Sequence, residues 1–412
     1  RAADLDDVRD PVIDLLDLKN YANGQPHDLF RWLRENDPVH WHDEPGGSGF
    51  WAVTRYDDVR AVSKDPATYS SWKGGILLPD TTEEALAGPR NMMLYMDEPE
   101  HTRYRNLVSR GFTPGAAQRL AGRIEDLARE IIDGVIERGE CDLVSDIAGM
   151  LPSYVIAELM GIPREDGVRL YEWTELMHAD TSAVGAERQR EAVQNMLSYA
   201  LEVAAHKRAH PGDDLATVIL QSEIDGDRLS DTEFMWFFLL LINAGGDTTR
   251  NLVAGGMQTL FNHPEERQRL MENLDELLPS AVEELLRYVS PVVHMRRTAT
   301  RDTELGGKQI REGDKVVIFY GSANRDEAHF PDPDRFDITR TPNDHLAFGG
   351  GGPHYCLGAH IARVEIKAML RQILTRLPDI EPAGPAVPLP SIFISGPQSL
   401  PVRFTPGRRS AA

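Results

Sequence analysis

Apolar residues recur at helical spacing along most of the chain. Within 114–138, Leu120, Ile124, Leu127, Ile131 and Val135 make one continuous stripe, the mark of a helix with a single buried face. The same test predicts helices over 27–36, 55–64, 142–161, 164–176, 186–208 and 281–289. The longest covers 230–261. Ser230 stands at its N-cap, and Glu233, three residues on, completes a capping box. The stretch 234–242 is apolar all round, which predicts burial on every side. Strand patterns are few and short: 39–42 and 50–54 joined by a Pro-Gly-Gly loop, 315–319, and 391–395. The fold class this predicts is mainly α with small β-sheets. No Ser/Gly-rich or Pro-rich linker divides the 412 residues, so one domain, 1–412, is expected, with 1–26 an N-terminal extension and 407–412 a frayed tail.

Two stretches break the pattern. Ala244-Gly-Gly-Asp-Thr-Thr249 lies inside the longest helix. Two glycines there cost about 1 kcal/mol each against alanine, and a carboxylate with hydroxyls in a buried stretch costs more unless partnered. Such violations of local preference point to function. The second stretch runs Phe348-Gly-Gly-Gly-Gly-Pro-His-Tyr-Cys356-Leu-Gly358. Four consecutive glycines suit neither strand nor helix interior. Cys356 stands just before a new helical pattern carried by Leu357, Ile361 and Val364. The N-terminus of a helix favours a thiolate and offers it free N–H groups, and the glycines let the backbone approach a flat, bulky group. A thiolate axial ligand pushes electron density onto haem iron.

The second stretch resembles the haem-binding loop of the cytochrome P450 monooxygenases. The family's Phe and Gly before the ligand, its His or Arg two residues before and its Gly two after correspond to Phe348, Gly352, His354 and Gly358. Phe348 stands eight residues before Cys356, one more than the commonest spacing, and this resembles a bacterial subset that oxidises sterols and methyl-branched lipids. The resemblance implies the cytochrome P450 fold, with haem b between the long central helix and the cysteine-loop helix. It implies Cys356 as iron ligand, with Phe348, Gly349 and Gly358 shaping its loop, and His101, Arg105, Arg297 and His354 on the haem propionates. Ala244 and Gly245 are expected to let the helix pass close over the haem, Thr248 to hydrogen-bond oxygen, and Asp247 to relay protons. Glu284 and Arg287 are expected as a structural pair supported by Arg335. Met92, Met93, Leu240, Ala244, Val292, Val293, Met295 and Phe393 are expected around the substrate. Helices 164–176 and 186–208, joined by 178–185, resemble the family's lid. Two other readings compete: a haem-binding sensor or carrier without turnover, and a hydrolase using Cys356 with His354.

Charge and composition narrow the partners. With 44 basic against 65 acidic residues the net charge is −21, which opposes nucleic-acid binding. Two cysteines, Cys141 and Cys356, build no disulfide framework and suit a reducing, cytoplasmic setting. They also fall short of the four that an iron–sulfur cluster takes, so a ferredoxin and its reductase are expected as electron donors. His360, Arg363, Lys367 and Arg371 form one helical stripe just past the cysteine and are expected to steer that ferredoxin. The longest apolar run has nine residues and no signal core opens the chain, so a soluble monomer without a membrane anchor is expected. The expected substrate is a small apolar molecule, a steroid, terpenoid or branched lipid, attacked with O2.

Overall fold

The computed structural model describes residues 12–178 and 185–411. The segment 179–184, most of the connection between the two lid helices, lies outside them. The central helix spans Asp231–Asn262, and its capping box forms as expected: Ser230 Oγ accepts from Glu233 N at 3.1 Å and Glu233 Oε2 accepts from Ser230 N at 2.8 Å. Around it pack Pro114–Val135, Met150–Met160, Arg164–His178, Ala186–Ala209, Leu274–Val289 and the cysteine helix Ala359–Arg376, sharing one large apolar core. The expected helix over 142–161 divides at Gly149. A wide turn, Val144–Ala148, closes with Gly149 N donating to Val144 O at 2.8 Å, and an α-helix follows. The junction leaves little room for a side chain: a Cβ on Gly149 would stand 3.0 Å from the Tyr171 hydroxyl.

The main sheet has five strands in the order Val39–His42, Phe50–Val53, Lys315–Phe319, His294–Ala299, Tyr69–Ser70. Alternation sorts its faces. Val316 and Ile318 join Val39, Val53 and Val59 on one side, while Val317 and Phe319 join Phe30, Leu33 and Phe50 on the other. Leu15 and Tyr21 belong to that second cluster, so the segment before the first helix is built into the sheet's core. The stretch 407–411 has no regular structure but is held: Gly407 N donates to Ile136 O at 2.9 Å and Ser410 N to Asp133 Oδ1 at 2.9 Å. The run 391–395 makes one bridge, Val292 with Ile394, and is not the strand expected.

Glu284 and Arg287 are both wholly buried, with two 2.8 Å hydrogen bonds between them. Arg287 also donates to the carbonyls of Asn324 at 2.9 Å and Pro333 at 2.8 Å, which ties the helix to the segment leading into the cysteine loop. The third member is not Arg335, whose side chain is 63% exposed; Arg340 reaches Glu284 instead, at 3.2 Å. Only the Arg335 carbonyl takes part, accepting from Arg287 and Arg340. Among the described residues no helix is long and apolar enough to cross a membrane.

Candidate active site

Cys356 sits where the glycine loop turns into its helix. Its N–H donates to Phe348 O at 2.9 Å, which closes the loop. Gly349, Gly351 and Gly352 have φ of +105°, +88° and +76°, a region that side-chain-bearing residues rarely adopt. The loop presses on the end of helix Tyr56–Lys64: a Cβ on Gly352 would stand 2.3 Å from the Ser63 carbonyl oxygen. The Phe348 ring lies under the Arg363 guanidinium, 4.6 Å from centroid to carbon. Burial pushes the Cys356 thiol up, while the Gly358 N–H and the charges of Arg105 and Arg363 pull it back towards thiolate.

A group of cation-capable side chains gathers beside this sulfur. The rings of His101 and His354 meet at a tilt of 49°, with centroids 4.3 Å apart. His101 is 1% exposed, yet neither ring nitrogen has a hydrogen bond, and the nearest carboxylate, Glu98, is 3.7 Å away. His354 Nε2 meets Ser71 Oγ at 3.3 Å, and the ring also has a hydrogen bond with the Met96 backbone. Arg297 is 5% exposed and donates to the Arg296 carbonyl at 2.8 Å. Among the described residues neither Arg297 nor Arg105 has a carboxylate at ion-pair distance, and burial lowers the pKa of both. Burial, with Arg297, His101 and Arg105 alongside, drives His354 down to about 2. Isolated buried cations are costly without counter-charge. Two carboxylates arriving together supply it, so the donor set fits a haem with its propionates.

On the central helix, Thr248 Oγ1 donates to the Ala244 carbonyl at 2.8 Å. Asp247 Oδ1 lies 3.3 Å from the Arg250 guanidinium, which donates to the Tyr171 hydroxyl at 2.6 Å. Ala244 is exposed in mid-helix, so open space lies beside it. Gly245 is not on that side. A Cβ there would meet Ile156, and Gly246 borders a small cavity with Ser153, Tyr171 and Thr174. A Cβ at Gly245 would make only an ordinary contact and one at Gly246 would meet nothing within 4 Å, so neighbouring helices do not demand these glycines, while Ala244 keeps the open face clear.

The expected pocket residues divide. Met92 and Met295 come together with Ile76, Leu86 and Tyr95, and Leu240 lies one turn before Ala244. Met93 joins the main helical core, and Phe393 meets His294 edge-on at 5.5 Å. Val292, just before the strand, packs against the cluster of Val39, Val53 and Val316, whereas Val293 is wholly buried among Phe30, Phe50 and Phe319. Adjacent residues of an extended segment face opposite ways, so the two valines cannot share one wall.

The basic stripe on the cysteine helix is largely engaged. Arg363 donates to Glu283 at 2.6 and 2.9 Å, and Glu283 also meets His345 Nε2 at 2.9 Å. Burial pushes the Glu283 carboxyl up, but these partners outweigh it and hold it at about 2. Arg371 pairs with Asp275 and Glu125. Sequence reasoning also passed over Glu365, 5% exposed on the same helix, whose carboxyl burial raises to about 8 beside the Thr249 hydroxyl. Its signal was present: it stands four residues after Ile361, on the apolar face.

The family model for cytochrome P450 matches residues 163–382. The methyl-branched lipid omega-hydroxylase of Mycobacterium tuberculosis is 40% identical over 388 residues, covering 91% of this chain and 90% of its own. The steroid C26-monooxygenase of the same species is 36% identical over 414 residues, 96% of this chain and 93% of its own. The solved Mycobacterium marinum cytochrome P450 in complex with pseudoionone superposes with a TM-score of 0.87 at 38% identity, over 96% of this chain and 99% of that one. Such kinship sets aside the carrier and hydrolase readings. With its fold, its cysteine loop and these relatives, the chain belongs to the cytochrome P450 family and is a haem-thiolate monooxygenase.

Proposed function

We propose that this monooxygenase hydroxylates a methyl-branched or steroid-like lipid, with Cys356 as its iron ligand. The observation that carries the site assignment is the convergence of the Cys356 thiol with four cation-capable side chains, of which only His101 has a carboxylate at ion-pair distance among the described residues, Glu98 at 3.7 Å. His101, Arg105, Arg297 and His354 hold the propionates. The bound haem supplies oxygen activation at the iron. Thr248, freed from the Ala244 carbonyl, offers a hydroxyl to the open face, and Asp247, anchored by Arg250, holds the proton source one residue away. Met92, Leu240, Ala244 and Met295 give an apolar surround that excludes water. The substrate class rests on likeness to the two mycobacterial hydroxylases. A ferredoxin with its reductase supplies the electrons, and residues 1–412 act as one domain.

The test is spectral and chemical. Cys356→Ser abolishes the thiolate-type Soret band of the reduced carbon monoxide complex, because serine is a far weaker acid than cysteine. Persistence of that band in the variant removes Cys356 as ligand. Product analysis with branched alkanes and steroids then checks the substrate class separately.

A further inference from the structure

Among the less buried residues of the central helix, Trp236, Leu240, Asn243, Ala244, Asp247 and Thr248 share one stripe. Their steps of three, four and one keep them on a single face. Trp236 packs against Gly88, so its end of the stripe looks at the segment that carries Met92. One residue does not suit an apolar wall. Asn243 makes no hydrogen bond with any described residue, and its Oδ1 is sealed from solvent without a partner. Its Nδ2 is not sealed. Rotation about χ2 exchanges the two, so this amide can offer either a donor or an acceptor to the open side.

An unsatisfied buried amide oxygen is expensive. In this position a branched aliphatic side chain would complete the wall at no such cost. A site that must leave a polar group unpaired discriminates against ligands that cannot pair it, and does so far more sharply than an apolar pocket selects by size. Asn243 lies five residues before Thr248, about 7.5 Å along the helix axis. Any group it grips is therefore close to the place of reaction, not at the far end of a long substrate.

We infer that Asn243 is a specificity-determining residue that hydrogen-bonds a carbonyl or hydroxyl oxygen of the substrate near the oxidised carbon, so the preferred substrates are oxygenated, not plain, hydrocarbon skeletons. This rests on the hydroxylase reading above.

The test compares matched ligands on the haem-loaded protein: 5α-androstane against 5α-androstan-17-one, and 2,6-dimethyloctane against 3,7-dimethyloctan-1-ol. Dissociation constants come from tryptophan quenching, so no turnover is needed. The wild-type protein prefers the oxygenated member of at least one pair. Asn243→Leu lowers that preference about tenfold, by weakening the oxygenated ligand and tightening the hydrocarbon. Asn243→Thr, which keeps a hydroxyl at a smaller volume, retains part of it and covers the case in which leucine overpacks the helix. An unchanged preference in both variants, with haem content intact, overturns the inference. So does a wild-type protein indifferent to oxygen in both pairs. Neither result touches the monooxygenase reading, which stands or falls with product formation.

Discussion

Glu365→Gln gives a pH-dependent stability difference that the structure fixes in sign and size. Glu365 is 5% exposed, and its carboxyl is raised from 4.5 to about 8 by burial, with the Thr249 hydroxyl as partner. The folded chain therefore keeps a proton that the unfolded chain releases between those values. This contribution is fully present below pH 4.5 and is lost as pH rises through about 8, levelling off above it. A shift of 3.5 units corresponds to roughly 5 kcal/mol as an upper bound. Glutamine keeps the shape and the hydrogen bond to Thr249 but cannot ionise. The variant thus gains on the wild type as pH increases from 5 to 8.5, by at most about 6 °C in the apparent unfolding midpoint of a 412-residue chain. His294, held down at about 4 by burial, acts with the opposite sign, since its stability is lost as pH falls below its ordinary value of 6.5. It is present in both proteins and cancels in the difference. Thermal scans at fixed rate and fixed haem occupancy across that range are the assay. A difference that stays flat from pH 5 to 8.5 means that Glu365 is ionised throughout, and the burial argument is then wrong.

Two other perturbations follow from the site. Arg363→Glu sets a second carboxylate against Glu283, so haem retention and peroxide-driven turnover should fall together with ferredoxin-driven turnover; loss of ferredoxin-driven turnover alone restores the docking role for Arg363. Thr248→Ala should leave haem and ligand binding nearly intact while reductant continues to be consumed and product falls, the balance appearing as hydrogen peroxide; unchanged product per electron removes Thr248 from the mechanism.

What the sequence made legible follows from what local rules can encode. The helix 27–36 and the strands 39–42 and 315–319 have the bounds expected, because periodicity and turn residues are local facts. The capping box at Ser230 and the closed loop before Cys356 are local as well. The division at Gly149 was hidden because the group that crowds this position, the hydroxyl of Tyr171, comes from another helix. Val293 was misplaced because two adjacent valines were given one environment, although a strand offers them two.

Charges show the limit most clearly. His360, Arg363, Lys367 and Arg371 read as a free stripe because spacing reports which side chains share a face and nothing of what lies opposite. Opposite Arg363 lies Glu283, and opposite Arg371 lie Asp275 and Glu125, all at least 80 residues away in the chain. The reverse holds beside Cys356. His101 and Arg105 read as an ordinary solvated pair by spacing, yet the fold buries His101 and leaves the whole cation group short of carboxylates. In a chain of net charge −21, acidic side chains are the common resource. A surface arginine that finds one is unremarkable, and four cation-capable groups, His101 and Arg297 among them buried, that find no hydrogen-bonded carboxylate mark a place kept for an anion from outside the chain. The difference between a structural charge and a binding charge thus lies in the partner, which only the assembled fold supplies.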